Sequence, residues 1–519
     1  MAYRLITGAT GLLGSYLLRD LLLKNESIAV LVRPTRQRSG ADRVDCLLSH
    51  WEECWKRNLP RPVVLEGDIR DPLLGLDETD QGWLSRNADR VLHSAASLTF
   101  QEKDGEPWSS NVEGVRNVLE LCRASSLRCL EHVSTAYVCG LRTGRVLESE
   151  LDTGQEFGND YERSKVQAEK LVRSDGFLDA YTILRPSIIV GDSISGYTTT
   201  FHGFYTPLRI ALALLTSIET EEALDVNFLE LLGLTGQERK NFVPVDWVSE
   251  AMTAILSHHP PRNETYALVS DAPVHVERMP EVFLRIVYDR LTNADPDDGQ
   301  LPGLPNVNSA LTGTNGIEFF RKSFIELNSI YQSYWRDDPI FDFSNTRRIL
   351  PNRPCPQVND HVLELLCNYA LDANFGFPPR RTNIPPFLPR HCFENCSDAA
   401  TSSIESNQPN GENKRLAFSI TGLGGGTWTV ESTDNGHFAV ESGNSQATTN
   451  VWMTSDTFER LICGEIAYSD VIEQSHAVVV GDQDVSKRVE QFLSFVSREH
   501  GRSSAHREET ATELLPLKG

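Results

Sequence analysis

Tyr161 and Lys165 stand four residues apart in the run Tyr161-Glu162-Arg163-Ser164-Lys165, at the start of a helical pattern. That spacing puts both side chains on one face of a helix. A free phenol, with a pKa of about 10, is a poor acid or base at neutral pH. A nearby ammonium favours the phenolate and is expected to bring that value down. Such a pair is common on protein surfaces, so its meaning depends on what surrounds it. Upstream, Ser134-Thr135-Ala136-Tyr137 closes an apolar run. One of its two hydroxyls would leave a strand end and hydrogen-bond an oxygen as negative charge develops there.

The elements that must carry these groups are legible as an alternation of short apolar runs and amphipathic stretches, from residue 3 to about 270. Arg4–Thr7, Ile28–Val32, Val63–Leu65, Val91–His93, Leu130–Val133 and Tyr181–Leu184 read as strands. Leu12–Leu23, Asn111–Ala124 and Tyr161–Val172 read as helices between them. This order predicts an α/β fold, a Rossmann-type doubly wound parallel sheet with helices on both faces. Residues 196–240 read as helical and 275–385 as mixed, and both are taken as substrate-side additions within a 1–385 reductase domain.

The first strand runs into Thr7-Gly8-Ala9-Thr10-Gly11-Leu12-Leu13-Gly14 and then a helix. In that context the three glycines form a dinucleotide fingerprint. Gly8 would make the tight turn, Gly11 would let the backbone approach a pyrophosphate, and Gly14 would pack helix on strand. Thr10, Leu12 and Leu13 complete the turn, whose free N–H groups face the phosphates. The second strand ends at Arg33, where an acidic residue would select NAD; arginine suits the 2′-phosphate of NADP. Arg36 and Arg38 are candidates to assist. NADP(H) is therefore the preferred cofactor, with NAD(H) the alternative. Asp68 and Ile69 follow the third strand, where a carboxylate would accept from the adenine amino group. Ser94-Ala95-Ala96 ends the fourth, where small residues let a cofactor pass. Downstream of this turn, the Tyr161/Lys165 pair gains specificity.

Composition sets the limits. The chain has 519 residues and a net charge of -23. That charge argues against nucleic acid and anionic membranes as partners. The ten cysteines show no framework spacing; reduced thiols in a cytoplasmic protein fit them. His391, Cys392 and Cys396 lack a fourth ligand, so no metal is expected. No signal peptide is visible, and Leu208–Leu215 is far shorter than the roughly 20 residues of a transmembrane helix.

With these motifs in hand, the chain resembles the extended short-chain dehydrogenase/reductase superfamily over about residues 1–270. Within it, the closest likeness is to thioester reductases and fatty acyl reductases of the male sterility type. Leu92–Phe100, Asn159–Lys165, Val190-Gly191-Asp192-Ser193, Arg185-Pro186-Ser187 and Asn241–Asp246 carry that likeness. The resemblance implies that Thr135, two before Tyr137, is the catalytic hydroxyl, beside Tyr161 and Lys165. It implies that Asn111 helps place the nicotinamide and that Pro186 and Ser187 line its ribose and ring. It further implies hydride addition to an acyl thioester, collapse to a thiol and an aldehyde, and a second addition that gives an alcohol. Family members often carry adenylation and carrier domains. Neither is present in this sequence, so the thioester is expected to arrive on coenzyme A or a separate acyl carrier protein.

Residues 386–413 read as a linker, because Ser397–Asn413 is rich in Ser, Asn, Gly and acidic residues. A small α+β domain is expected at 414–498 and a disordered tail at 499–519. Leu416–Thr421, Thr427–Glu431, His437–Glu441 and Asn450–Met453 read as its strands, with turns at Gly424-Gly425-Gly426 and Asn435-Gly436. Asp456 and Glu459 suggest a capping box for a short helix stopping at Gly464. A last helix shows Val485, Val489, Phe492, Leu493 and Val496 on one face. This part resembles a sterol-carrier-type lipid-binding domain through Gly425–Trp428, Val451–Thr454 and Gly481-Asp482. That resemblance implies a tunnel lined by Trp428, Trp452 and Phe492, and a lipid-like substrate. The leading expectation is an NADPH-dependent reductase of an acyl thioester. The alternatives are a hydroxysteroid or lipid-alcohol dehydrogenase, a nucleotide-sugar epimerase or dehydratase, and a non-catalytic lipid carrier or NADP sensor.

Overall fold

The computed structural model describes residues 2–35, 38–215, 227–258, 263–292, 321–322, 324–325, 328–376, 392–393, 415–421, 426–432, 438–443, 447, 449–463, 466–473, 477–481 and 487–497. Arg36, His391, Cys396, residues 386–391 and 394–413 of the expected linker, the expected tail, the turns at Gly424-Gly425 and Asn435-Gly436, Gly464, Asp482 and Val485 lie outside the described residues, whereas Cys392 and Phe393, expected within the linker, are buried in the apolar core of the second unit. The contacts divide the chain into two compact units. The first comprises residues 1–200, 232–286 and 331–370; the second comprises 201–231, 287–330 and 371–519.

The first unit is built on a seven-stranded parallel sheet. Its strands are β1 (Tyr3–Thr7), β2 (Ile28–Val32), β3 (Val63–Glu66), β4 (Ala88–His93), β5 (Cys129–Val133), Ala180–Pro186 and Glu264–Leu268. Across the sheet the order is Glu264–Leu268, Ala180–Pro186, β5, β4, β1, β2, β3. The centre strands are buried on both faces, as β2 shows with all five residues inside. Residue alternation then sends neighbours to opposite cores. Ile6, Val30, Leu92 and Leu184 meet α1 (Leu12–Leu23), α2 (Gly40–Trp55) and the Val245–His258 helix. Leu5, Leu31, Val91, Leu130 and Ile183 meet α4 (Gly114–Ala124) and α5 (Asp160–Ser174). Each large apolar side chain so buried contributes about 1.5–3 kcal/mol. Register pairs Thr7 with His93 and His93 with His132, so the carboxyl ends of β1, β4 and β5 share one edge. Ligands of open α/β sheets bind at that edge.

Three expectations change here. Residues 196–204 are turns and irregular chain before the Tyr205–Leu215 helix, so 196–240 is not continuously helical. Gly196 shows why, because it needs a φ of +72 and sits against the Leu365 backbone. Asn111–Glu113, expected as the start of an ordinary helix, belong to a π-helical turn, Ser109–Glu113. The seventh strand, Glu264–Leu268, was absent from the expected set.

The second unit holds a five-stranded sheet, in the order Phe438–Ser442, Gly426–Ser432, Leu416–Thr421, Thr449–Thr454, Ala477–Gly481. Leu416–Thr421 and Thr449–Thr454 run parallel, and the other neighbours run antiparallel. The short helix spans Ser455–Ile462, so Asp456 lies in its first turn rather than at the cap. Val489, Phe492, Leu493 and Val496 are buried on one face of the last helix. Trp428 stacks on Phe393 at 4.3 Å, and Phe492 packs on Phe418 at 4.9 Å. Both rings belong to an apolar core, and the Trp452 side chain lies outside the described residues.

Candidate active site

The glycine turn separates what the fold needs from what a ligand needs. Gly8 has a φ of +75, and a Cβ there would meet the Ala95 backbone nitrogen at 2.6 Å. A Cβ on Gly14 would come within 2.0 Å of the Gly8 carbonyl oxygen. Both glycines are therefore demanded by the protein itself. Gly11 is different: its φ is -77, and a Cβ would meet only the Gly8 oxygen, at 3.4 Å. The open space at Gly11 lies at the start of α1, whose first turn has no capping side chain. Space and free N–H groups together fit a pyrophosphate.

Arginines and an aspartate ring this turn. Arg33 is exposed and lies 3.6 Å from Asp68. Asp68 also accepts from the Arg70 backbone at 3.0 Å and side chain at 2.8 Å. Burial pushes its carboxyl up, but the Arg70 bonds and charge and the Arg33 charge outweigh burial and hold it low. Ile69 turns its carbonyl to Asn117. Arg38 reaches Cys46 on α2. Sequence reasoning missed Arg43. It donates to Thr10 Oγ1 at 3.2 Å and to the Arg33 carbonyl at 2.5 Å. The clue was Ser39, which forms a capping box with Asp42 and places Arg43 in the opening turn of α2.

The acid–base groups converge at the ends of β4 and β5. Asn159 caps α5, accepting from Glu162 N at 2.9 Å, and so fixes the helix start that carries Tyr161 and Lys165. Burial pushes the Tyr161 phenol up to about 12, against the Thr135 hydroxyl bonded to it, which pulls it down. The expectation that an ammonium lowers this phenol is thereby corrected. The ammonium of Lys165 is turned to the Val133 carbonyl at 2.7 Å, and burial dominates. Burial also brings Lys165 down to about 8, with Glu169 opposing.

The two strand-end hydroxyls have different surroundings. Ser134 Oγ donates to Glu169 at 2.9 Å, within a buried pair of Glu169 with Arg185. Thr135 Oγ1 accepts from Tyr137 N at 3.2 Å and reaches the Pro186 carbonyl at 3.4 Å. Asn111, in the π-helical turn, donates to Ser164 Oγ at 2.9 Å, and Ser164 donates to the Tyr161 carbonyl at 2.7 Å. It also holds Ser97 through both of that residue's backbone groups. Ala95 N lies 3.3 Å from Thr7 Oγ1, Ser94 N donates to the Thr7 carbonyl, and Ala96 is exposed. Ser187 turns its hydroxyl to Asn241 at 2.7 Å. Thr135, Tyr161, Lys165, Asn111 and Pro186 are thus brought together at one edge.

Beside Tyr161 stands an apolar wall that the motifs did not reveal. The Phe100 ring is 6.0 Å from Tyr161, 5.3 Å from Tyr331 and 5.4 Å from Tyr334. Leu98 is half exposed at 50%. Among the described residues, no group of acidic, His and Cys side chains is placed to hold a metal.

Residues 6–252 match the family model described as male sterility protein, an NAD-binding domain. Over 280 residues the chain is 26% identical to the nonribosomal peptide synthetase asaC of Aspergillus flavus, covering 52% of this chain and 26% of that one. Over 291 residues it is 26% identical to the L-2-aminoadipate reductase large subunit of Penicillium chrysogenum, covering 52% of this chain and 19% of that one. The chain therefore spans only 26% and 19% of these relatives' lengths. The terminal R domain from the myxalamid PKS-NRPS biosynthetic pathway shares the fold. It has a TM-score of 0.54 at 24% identity, covering 73% of this chain and 93% of that structure.

Proposed function

We propose that this chain, whose residues 6–252 match the NAD-binding family model, is an extended short-chain dehydrogenase/reductase of the thioester-reductase type and reduces an acyl thioester with NADPH. Its class is that of an NAD(P)H-dependent oxidoreductase. The observation that carries the finer reading is the gathering of Thr135, Tyr161 and Lys165 at the sheet edge, with Thr135 Oγ1 at the Pro186 carbonyl and the Lys165 ammonium at the Val133 carbonyl. Lys165 sits one turn further along α5.

A reduced nicotinamide, when bound, would supply hydride to the acyl carbonyl. Thr135 and Tyr161 donate hydrogen bonds to the oxygen on which negative charge develops. A buried phenol near 12 keeps its proton at neutral pH and holds it for that oxygen. Lys165, bonded here to the Val133 carbonyl, would hold the nicotinamide ribose. The thiol then leaves and an aldehyde remains; a second round gives the alcohol. The turn that Gly8 and Gly14 hold would seat the pyrophosphate at Gly11, while Arg33 and Arg43 would hold the 2′-phosphate that distinguishes NADP from NAD. Asn111, through Ser164, steadies the turn that carries Tyr161.

The Phe100 ring beside Tyr161 supports a lipid-like acyl group. Coenzyme A or a carrier protein brings that group, in keeping with relatives named as peptide synthetase and aminoadipate reductase. We assign residues 414–498 as a separate lipid-binding-type module and the cytoplasm as the compartment. The direct test is Tyr161→Phe. Turnover of acyl-CoA falls by two or more orders of magnitude while NADPH affinity stays within about threefold, the range expected for loss of a general acid. Retained turnover contradicts the reading.

A further inference from the structure

A buried carboxylate joins two parts of the candidate site, and the proposed chemistry uses none of its contacts. Asp338 lies 201 residues beyond Tyr137 in the chain. Its Oδ2 accepts from the Tyr137 hydroxyl at 2.7 Å and from the Asn241 backbone N–H at 2.8 Å. Its Oδ1 accepts from the Lys240 ammonium. Tyr137, Lys240 and Asp338 are all buried. Arg336, two residues earlier, donates to the carbonyls of Gly140 at 2.7 Å and Leu141 at 3.1 Å. The same segment is thereby lashed to the chain that follows Thr135 and Tyr137.

These contacts close a ring. Thr135 Oγ1 accepts from Tyr137 N at 3.2 Å. The Tyr137 hydroxyl reaches Asp338, and Asp338 holds Asn241. Asn241 Oδ1 accepts from Ser187 Oγ at 2.7 Å. Ser187 follows Pro186, whose carbonyl the Thr135 hydroxyl meets at 3.4 Å. One oxygen of Asp338 therefore ties the turn after β5 to the end of Ala180–Pro186, the two segments that meet at the Thr135 hydroxyl. That last contact is long for a hydroxyl donor, which leaves the hydroxyl available to a substrate oxygen. Tyr137 has a different place. Burial and then the Asp338 charge push its phenol well above its usual value, and its ring packs on Tyr334 at 5.3 Å and Phe341 at 6.0 Å. Packed apolar side chains in place of a buried ion pair such as Lys240–Asp338 are often as stable or more so, so stability alone gives no reason for charge here.

We propose that the Tyr137–Asp338 bond is a positioning contact for Thr135: it sets the gap between the turn that carries the Thr135 hydroxyl and the Pro186–Ser187 segment. The proposal rests on the reading of Thr135 as donor to the substrate oxygen. A reacting group displaced by about 1 Å loses about a hundredfold in rate, so a tie that fixes this gap has a use that packing alone does not supply.

The test is a double-substitution cycle, read by single-turnover loss of NADPH with acyl-CoA. Tyr137→Phe keeps the ring and removes the bond. Asp338→Glu keeps a charge for Lys240 and moves the acceptor by one methylene. Each lowers the rate of hydride transfer about tenfold, while NADPH affinity and the KM for acyl-CoA stay within about twofold. In the Thr135→Val protein, neither change lowers the residual rate by more than about twofold, because the group they position is gone. Thermal unfolding of each variant identifies any loss of fold. Equal losses in the two backgrounds overturn the proposal, as does an undiminished rate in Tyr137→Phe and Asp338→Glu. A parent that turns over no thioester overturns the thioester-reductase reading itself. A Thr135→Val protein with the parent's rate overturns the role of Thr135, and either result takes the proposal with it.

Discussion

Gly11→Ala should leave the fold almost untouched and remove the cofactor. At a φ of -77 and a ψ of 170, alanine is unstrained, and its Cβ would meet only the Gly8 oxygen at 3.4 Å. Losing glycine at a helix N-cap costs up to about 1 kcal/mol. Restricting the unfolded chain returns about 0.4–1 kcal/mol. The net change in stability is within about 1 kcal/mol, or a few degrees in Tm. The new methyl, however, occupies the space through which the backbone approaches the pyrophosphate. Losing one or two charge-assisted hydrogen bonds of about 1.5–3 kcal/mol each weakens NADPH binding by about 10-fold to more than 100-fold. Gly14→Ala is the control. Its Cβ would fall 2.0 Å from a backbone oxygen. Such overpacking costs about 1–3 kcal/mol or more, so this variant loses Tm first. Thermal unfolding by circular dichroism and NADPH titration by fluorescence separate the two effects. If Gly11→Ala binds NADPH within twofold of the parent, or loses as much Tm as Gly14→Ala, the division between fold glycines and ligand glycine is refuted.

Other outcomes follow from the same geometry. Arg43→Ala and Arg33→Ala should each weaken NADPH by about 10-fold or more, the worth of a charge-assisted phosphate contact, and leave NADH nearly unchanged; equal losses for both cofactors in paired titrations count against these arginines. Thr135→Val should lower kcat by about 100-fold or more, as for a lost oxyanion donor, whereas Ser134→Ala should cost about 1 kcal/mol of stability and little rate. Steady-state kinetics with the two effects exchanged would move the catalytic hydroxyl to Ser134. Glu169→Gln leaves the buried Arg185 without its carboxylate and should lower stability by about 3–5 kcal/mol, seen as a lower urea midpoint; an unmoved midpoint contradicts that role.

Local rules made much of the first unit legible. Leu12–Leu23 was readable to the residue, because a glycine turn starts it and apolar periodicity carries it. The six expected strands are all present, within a few residues at their ends. Glu264–Leu268 was not recognised, since its five residues mix one charge and one threonine into an edge strand of the sheet. Pairing with Ala180–Pro186 makes it a strand. The π-helical turn at Asn111 leaves no mark in residue periodicity. In the site, Tyr161, Lys165 and the glycines stood out through short spacings. Arg43 escaped because it follows the second strand by a helix turn, and only the chain's fold returns it to Thr10. The separate fates of Ser134 and Thr135 depend on Glu169, 35 residues from Ser134. The direction of the Tyr161 shift was misjudged because burial, which no spacing reveals, exceeds the lowering effect of the Thr135 hydroxyl, and the Glu162 charge adds to burial.

The most direct measurement is a single progress curve. Purified protein is mixed with NADPH and a series of acyl-CoA thioesters, with a hydroxysteroid and a UDP-sugar alongside, while nicotinamide absorbance and free thiol are followed together. The account predicts loss of NADPH only with the thioesters, and release of one thiol for each aldehyde formed. Turnover of the steroid or the sugar with no thiol released from any acyl-CoA would contradict it.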